Sequence, residues 1–164
     1  MISNQNTIAK EVSINGVGLH TGANVTLTFK PAEANYGYVF KRTDLDGQPE
    51  IKALAKYVVS TDRGTTLAIG DTVVNTIEHV LAALVGMDVD NCLIEIDGPE
   101  TPIMDGSAKQ FVEVIEKAGI EAQDAEREYF EIKEPITFEL EGEGVELMAV
   151  PADEYQVAVM VDYG

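Results

Sequence analysis

Histidine and cysteine are scarce in this 164-residue chain, which has two histidines, His20 and His79, and one cysteine, Cys92. A single thiol excludes an internal disulfide, and its place in the apolar run Cys92-Leu93-Ile94 reads as a buried, inert side chain in a reducing compartment. Zinc sites ordinarily draw on three or four protein ligands. Any zinc here would therefore borrow from Asp or Glu, from another chain, or from sequence outside these residues. The H-E-x-x-H pattern is missing, and the inverted H-x-x-E-H pattern fails because Asn75 stands at its first position. Positive charge is also in short supply: 11 Lys and Arg face 29 Asp and Glu, a formal net charge of −18. Such a surface repels phosphate backbones and anionic lipid, which argues against a nucleic-acid partner. Long apolar runs are absent too. Val80 to Met87, the longest charge-free apolar run near the predicted helix, falls far short of the ~20 residues that span a bilayer, so no transmembrane segment is expected. Met1 to Asn6 shows no basic region leading into an apolar stretch. No secretory signal is expected, and the chain reads as cytoplasmic.

With 45% hydrophobic residues, the chain has enough apolar material for one generous core, or one domain plus part of a second. The acidic residues are concentrated: from Glu113 to Glu154 there are 14 Asp or Glu against Lys117, Arg127 and Lys133. This reads as a solvated sheet face and linker. The most informative stretch is Asn75-Thr76-Ile77-Glu78-His79-Val80-Leu81-Ala82-Ala83-Leu84, which predicts the start of an amphipathic helix. Ile77, Leu81, Leu84 and Val85 fall on one face at helical spacing. Asn75 is the expected N-cap, and Glu78 stands where a capping box would put it. A carboxylate and an imidazole are thereby adjacent in the first turn, while the opposite stripe is tied into a core. The plainer alternative is that Glu78 only caps the helix and His79 only faces solvent, which would make the chain an acidic, non-catalytic β-rich binding module.

Strand patterns surround this helix. Ile8, Val12 and Ile14, then Val25, Leu27 and Phe29, alternate with polar neighbours on either side of Gly16-Val17-Gly18-Leu19-His20-Thr21-Gly22, a hairpin connection that presents Leu19 and His20 at its tip. Further strands are predicted at Tyr36 to Arg42, Thr65 to Ile69 and Asn91 to Ile96, and Gly70-Asp71 turns the chain into Thr72-Val73-Val74 ahead of the helix. Between them, Ser60 to Thr66 reads as a polar loop holding Arg63 beside Asp62, with a local ion pair as the plainer role for that cation. Asp97 to Ala108 is irregular. Ser107 and Gln110 there cap a second helix with Phe111, Val114 and Ile115 as its inner stripe, and Asp105 reads as a turn and capping residue.

Residues 129–164 repeat the pattern of residues 9–44 at a constant offset of 120. Glu11 matches Glu131, Val25 and Leu27 match Val145 and Leu147, and Pro31-Ala32 matches Pro151-Ala152, in register through Gly22 and Gly142. Strand patterns also recur by chance, and that alternative stays open. Taken as a repeat, they predict an α+β fold with a complete first domain over residues 1–124, ending in two helices. Residues 125–164 would be the opening β-strands of a truncated second domain.

Three stretches together resemble the zinc-dependent UDP-3-O-acyl-N-acetylglucosamine deacetylases of lipid A synthesis. They are Gly16 to Gly22; Thr76-Ile77-Glu78-His79 followed by Leu81 and Ala83-Leu84; and Asp90-Asn91 through Ile94-Glu95 into Pro102-Ile103-Met104-Asp105-Gly106-Ser107-Ala108. The resemblance implies a two-domain sandwich of duplicated sheet-plus-two-helix domains, with the active site between their helices. It implies Zn2+ as cofactor and His79 as one of three ligands. The other two, a His and an Asp in an H-x-x-x-D helix, have no counterpart here, nor does the later histidine that works with the glutamate. Glu78 matches the family's general base and His20 a histidine near the site. Leu19, His20 and Arg63 are the substrate-binding candidates. The implied substrate is UDP-3-O-acyl-N-acetylglucosamine, hydrolysed to acetate and a free 2-amino sugar. The polar Thr61-Asp62-Arg63 departs from the more hydrophobic residues of better-known members, so acyl-chain preference does not transfer. Apolar faces left bare by a missing half would let the chain self-associate.

Overall fold

The structure is a computed structural model that describes residues 3–162. Met1 and Ile2 of the stretch read for a signal, and Tyr163 and Gly164 at the end of the repeat, lie outside the described residues. The chain divides into two compact units, Met1–Arg127 and Glu128–Gly164. Helices and sheets are mixed along it, the α+β class expected.

In the first unit the strands β1 (Asn4–Ile8), β2 (Val12–Val17), β3 (Asn24–Pro31), β4 (Tyr38–Arg42) and β5 (Glu50–Lys52) precede a short 3-10 turn at Ala55–Tyr57. There follow β6 (Val58–Ser60), β7 (Thr66–Ile69), β8 (Thr72–Val74), helix α1 (Glu78–Gly86), β9 (Cys92–Ile96), helix α2 (Lys109–Ala118) and β10 (Ile120–Glu126). The main sheet has the order β2-β3-β9-β4-β5, antiparallel except for the parallel pair β4 and β9. Alternation sets its inner face, where Val25, Leu27 and Phe29 of β3 and Cys92, Ile94 and Ile96 of β9 are buried at every second position. Both helices cover this face. Phe111 and Ile115 of α2 and Val80, Ala83 and Leu84 of α1 are fully buried; each large apolar side chain so placed contributes about 1.5–3 kcal/mol of transfer free energy. Strands β6, β7 and β8 form a separate antiparallel meander that delivers the chain to α1.

Four expectations, the inner stripe and the cap of each helix, need correction. The inner stripe of α1 is Ile77, Val80, Ala83 and Leu84, whereas Leu81 is only half-buried and Val85 is 66% exposed. Residues 80 to 85 are apolar throughout, so spacing alone could not choose the face. Asn75 does not cap α1: the cap position is Ile77, in right-handed helical conformation with no side-chain cap bond. On α2, Phe111 and Ile115 are buried as expected but Ala118 completes the stripe, with Val114 half-buried. The cap of α2 is Ala108, although the Ser107 hydroxyl accepts from the Lys109 amide at 3.2 Å. Asp105 is the turn residue expected, accepting from the amide and hydroxyl of Ser107 at 3.0 and 2.8 Å.

Strand β10 had no sequence signature, because its apolar residues do not alternate. It is held by antiparallel pairing with β1 and by polar side chains: Asn91 donates to Gln5 Oε1 at 2.8 Å and to Gln123 Oε1 at 2.7 Å. In the second unit, β11 (Ile136–Leu140) and β12 (Val145–Ala149) form an antiparallel hairpin. The ungapped repeat is only half kept there. Leu27 pairs with Ile14 in the first hairpin, but Leu147 pairs with Phe138, four residues beyond the position the offset assigns. A shorter connection in the second hairpin shifts its first strand.

Candidate active site

The site is built where the end of β8, the start of α1, the hairpin tip and the segment after β9 converge. Thr76 is buried and has φ 60°, an uncommon conformation for a β-branched residue. Tertiary contacts hold it there. The Asn75 amide donates to the Pro99 carbonyl at 2.9 Å, its side-chain Nδ2 donates to the same oxygen at 2.9 Å, and the Thr101 amide donates to the Asn75 carbonyl at 3.1 Å. The Thr101 hydroxyl donates to the Thr76 carbonyl. Asn75 Oδ1 is occupied as well, accepting from the Thr66 hydroxyl at 2.8 Å. Asn75 is thus a fastener between two segments instead of a helix cap.

Glu78 is anchored from the loop before β7. Its Oε2 accepts from the Thr65 amide at 2.8 Å, while the Ile77 amide donates to the Thr65 carbonyl at 3.3 Å. Its Oε1 lies 4.0 Å from His79 Nε2, with the two side chains 38% and 28% exposed. The expected adjacency of carboxylate and imidazole is therefore realised, with one carboxylate oxygen tethered and the other directed at the histidine. Gly64 permits this arrangement. A Cβ built there would lie 3.3 Å from Glu78 Oε1 and 3.4 Å from Thr76 Oγ1.

Beside Gly64 is a cavity of about 230 Å³, lined by His20, Arg63, Gly64 and Thr76 among others. The His20 ring closes one side, its Nε2 being 3.1 Å from the Arg63 carbonyl oxygen, to which it donates when it carries the proton. The structure brings His20 and Arg63 together, though through the Arg63 backbone. Among the described residues Arg63 forms no ion pair with Asp62. Leu19 is 57% exposed at the hairpin tip and does not line the cavity. A larger cavity of about 720 Å³, bordered by Thr7, Glu33, Tyr36, Glu121 and Gln123, contains none of the candidate residues.

One participant escaped the sequence reading. Glu100 is fully buried, and its carboxylate collects hydrogen bonds from four groups. The His20 amide donates to Oε1 at 3.0 Å and lies 3.1 Å from Oε2. The Thr21 amide and hydroxyl donate to Oε2 at 2.8 and 2.7 Å. The Thr76 hydroxyl donates to Oε1 at 2.9 Å. Burial pushes the Glu100 carboxyl pKa up, but the bonds from Thr21, His20 and Thr76 together outweigh it and hold the group below its ordinary range. No local spacing marks Glu100, because its partners stand 24 to 80 residues away in sequence. The hairpin glycines divide their work accordingly. Gly22 takes a positive φ of 66°, whereas a Cβ on Gly18 would come within 2.5 Å of both Glu100 Oε2 and Thr21 Oγ1.

Among the described residues no group of three or more His, Cys, Asp or Glu is disposed to hold a metal ion. His79 and Glu78 offer one imidazole and one neighbouring carboxylate, which suits one side of a zinc site but does not complete it.

The sequence model of the LpxC family, UDP-3-O-acyl N-acetylglycosamine deacetylase, matches residues 5–164. The chain belongs to the LpxC family. Among LpxC relatives, it is 50% identical over 163 residues to the bifunctional enzyme LpxC/FabZ of Chlorobaculum tepidum, covering 99% of this chain and 35% of that protein. It is 44% identical over 160 residues to the UDP-3-O-acyl-N-acetylglucosamine deacetylase of Myxococcus xanthus, covering 98% of this chain and 50% of the relative. The deacetylase of Idiomarina loihiensis is 42% identical over 160 residues, 97% of this chain and 52% of the relative. The chain therefore spans from about a third to about half the length of these curated LpxC relatives.

Proposed function

We propose that this chain supplies the general base and one zinc ligand of a deacetylase that removes the N-acetyl group from UDP-3-O-acyl-N-acetylglucosamine in lipid A synthesis. The observation that carries this reading is the divided carboxylate of Glu78. With Oε2 held on the Thr65 amide, Oε1 faces His79 beside the cavity and is free to accept a proton from water without reorientation. When bound, zinc polarises an amide carbonyl and lowers the pKa of a water molecule to about 7. His79 would hold it from the first turn of α1. The other two ligands, and the histidine that protonates the leaving amine, belong to the part of the relatives' length that this chain does not span. His20 and Arg63 line the cavity and Leu19 stands at its hairpin tip as substrate contacts, and the second unit opens another copy of the fold. No helix among the described residues is long and apolar enough to cross a membrane, in keeping with work in the cytoplasm.

Expressed over its full open reading frame, the protein is expected to release acetate from the nucleotide sugar and to carry zinc. His79→Ala should lose the metal, and Glu78→Ala should keep it. The 164-residue chain alone should bind zinc weakly and turn over nothing, and sedimentation with and without zinc measures its self-association. Tight, stoichiometric zinc with turnover in this chain would overturn the assignment of the remaining ligands.

A further inference from the structure

We propose that Glu100 is the positioning residue of the site, a buried carboxylate that sets the placement of the His20 loop and the Glu78–His79 turn relative to each other. The inference rests on the deacetylase reading for its kinetic consequence, but its geometry stands independently.

Glu100 is flanked by Pro99 and Thr101, both of which bond to Asn75 or Thr76. Its backbone neighbours thus grip the two residues that precede Ile77 and Glu78. Its side chain reaches the opposite way, to the amides of His20 and Thr21, and returns one bond to Thr76. Among the hydrogen bonds of the described residues, Glu100 joins the histidine loop to the entry to α1 through one side chain. A carboxylate suits this place because it only accepts, with about four lone-pair positions for four donors. Two of those donors are backbone amides that cannot be reversed. Glutamine at this position has one accepting oxygen and sets an NH2 group against at least one amide N–H. Gly18 completes the device, since any Cβ there would strike the carboxylate.

The partners also explain why a misplaced Glu100 would be felt at the chemistry. Thr76 and His20 both line the cavity next to Gly64, and Gly64 abuts Glu78 Oε1. A shift in the knot moves two walls of the cavity, and misplacement of about 1 Å can cost on the order of 10²-fold in rate.

The test uses Glu100→Gln and, from the other side of the knot, Thr76→Val. In the 164-residue chain, amide exchange at His20 and Thr21 is expected to accelerate at least about tenfold in Glu100→Gln, with the His79 ring resonances shifted and the β2–β3 ladder amides unchanged. In the full-length protein both variants are expected to keep zinc and KM while kcat falls roughly 10- to 100-fold, and Thr76→Val should fall less. If kcat and the His79 resonances stay at their parental values while the loop amides exchange faster, Glu100 is only a staple for the loop and the proposal is wrong. If the parental protein itself releases no acetate, the deacetylase reading fails instead, and the His79 resonances alone then decide the positioning role. Should either variant lose its fold, Gly18→Ala, which displaces the same carboxylate, provides the second reading of the His79 signals.

Discussion

The two oxygens of Glu78 have different surroundings, Oε2 on the Thr65 amide and Oε1 facing His79, and Glu78→Gln separates the roles proposed for them. The amide oxygen of glutamine can still accept from the Thr65 amide, now made at 2.8 Å; its NH2 cannot, which fixes the orientation and puts NH2 where Oε1 faces His79. The tether survives, so folding stability should stay within about 0.5 kcal/mol of the parent. Proton acceptance is lost, and a positioned general base is worth roughly 10²- to 10⁴-fold, or about 3–5 kcal/mol of barrier at 1.36 kcal/mol per decade. Glu78→Ala loses the tether as well, adding about 0.5–1.5 kcal/mol of destabilisation and lowering Tm by a few degrees. The assay combines acetate release, metal content and thermal unfolding on the full-length protein with both substitutions. The expected pattern is a large, similar loss of kcat in both, zinc retained in both, and a lowered Tm in the alanine variant alone. A glutamine variant with kcat within about threefold of the parent would refute the base assignment. One as unstable as the alanine variant would refute the tether.

Gly64→Ala places a methyl group 3.3 Å from Glu78 Oε1 on a backbone with φ 159° that disfavours any side chain; kcat should drop roughly tenfold and Tm by a few degrees, and an unaltered kcat would mean that Oε1 has room to give. A pH effect follows from Asp44, whose carboxylate takes two bonds from Arg42 at 2.8 and 2.7 Å and is held by them below its ordinary pKa. A depressed folded-state value stabilises the protein above the unfolded pKa of about 3.9, and that contribution is lost as the pH falls through the folded value. Asp44→Asn should therefore be less stable than the parent at pH 7 in urea unfolding, with the gap closing below about pH 4; a gap independent of pH would refute the linkage.

How much was legible in the sequence follows from how local each signal is. The strands β2, β3, β7 and β9 announced themselves because one face of each is more buried than the other and the side-chain period is two. The first turn of α1 was legible because Glu78 and His79 are consecutive. What failed depends on distant partners. Asn75 has the residue type of a cap, but Pro99 and Thr66 compete for it and win. β10 is ordered by a partner strand more than a hundred residues away in sequence. Glu100 lies in a stretch rich in proline and glycine that reads as a bare turn, and its importance exists only after the hairpin tip folds over it. Of the repeat expected in the second unit, the position of β12 agrees with the offset, but β11 is shifted by turn length, which pattern matching without gaps cannot register.

Strand β9 lies in the middle of the main sheet, bonded to β3 on one flank and β4 on the other, and its chain runs directly on to Pro99, Glu100 and Thr101. The segment that fastens Asn75 and Thr76 is therefore an extension of the central strand, so the entry to α1 is tied to the middle of the main sheet. The other side of the cavity is lined by Asp62, Arg63 and Gly64 of the polar loop before β7. Substitutions in that loop would reshape the cavity while leaving the strand-anchored entry to α1 in place.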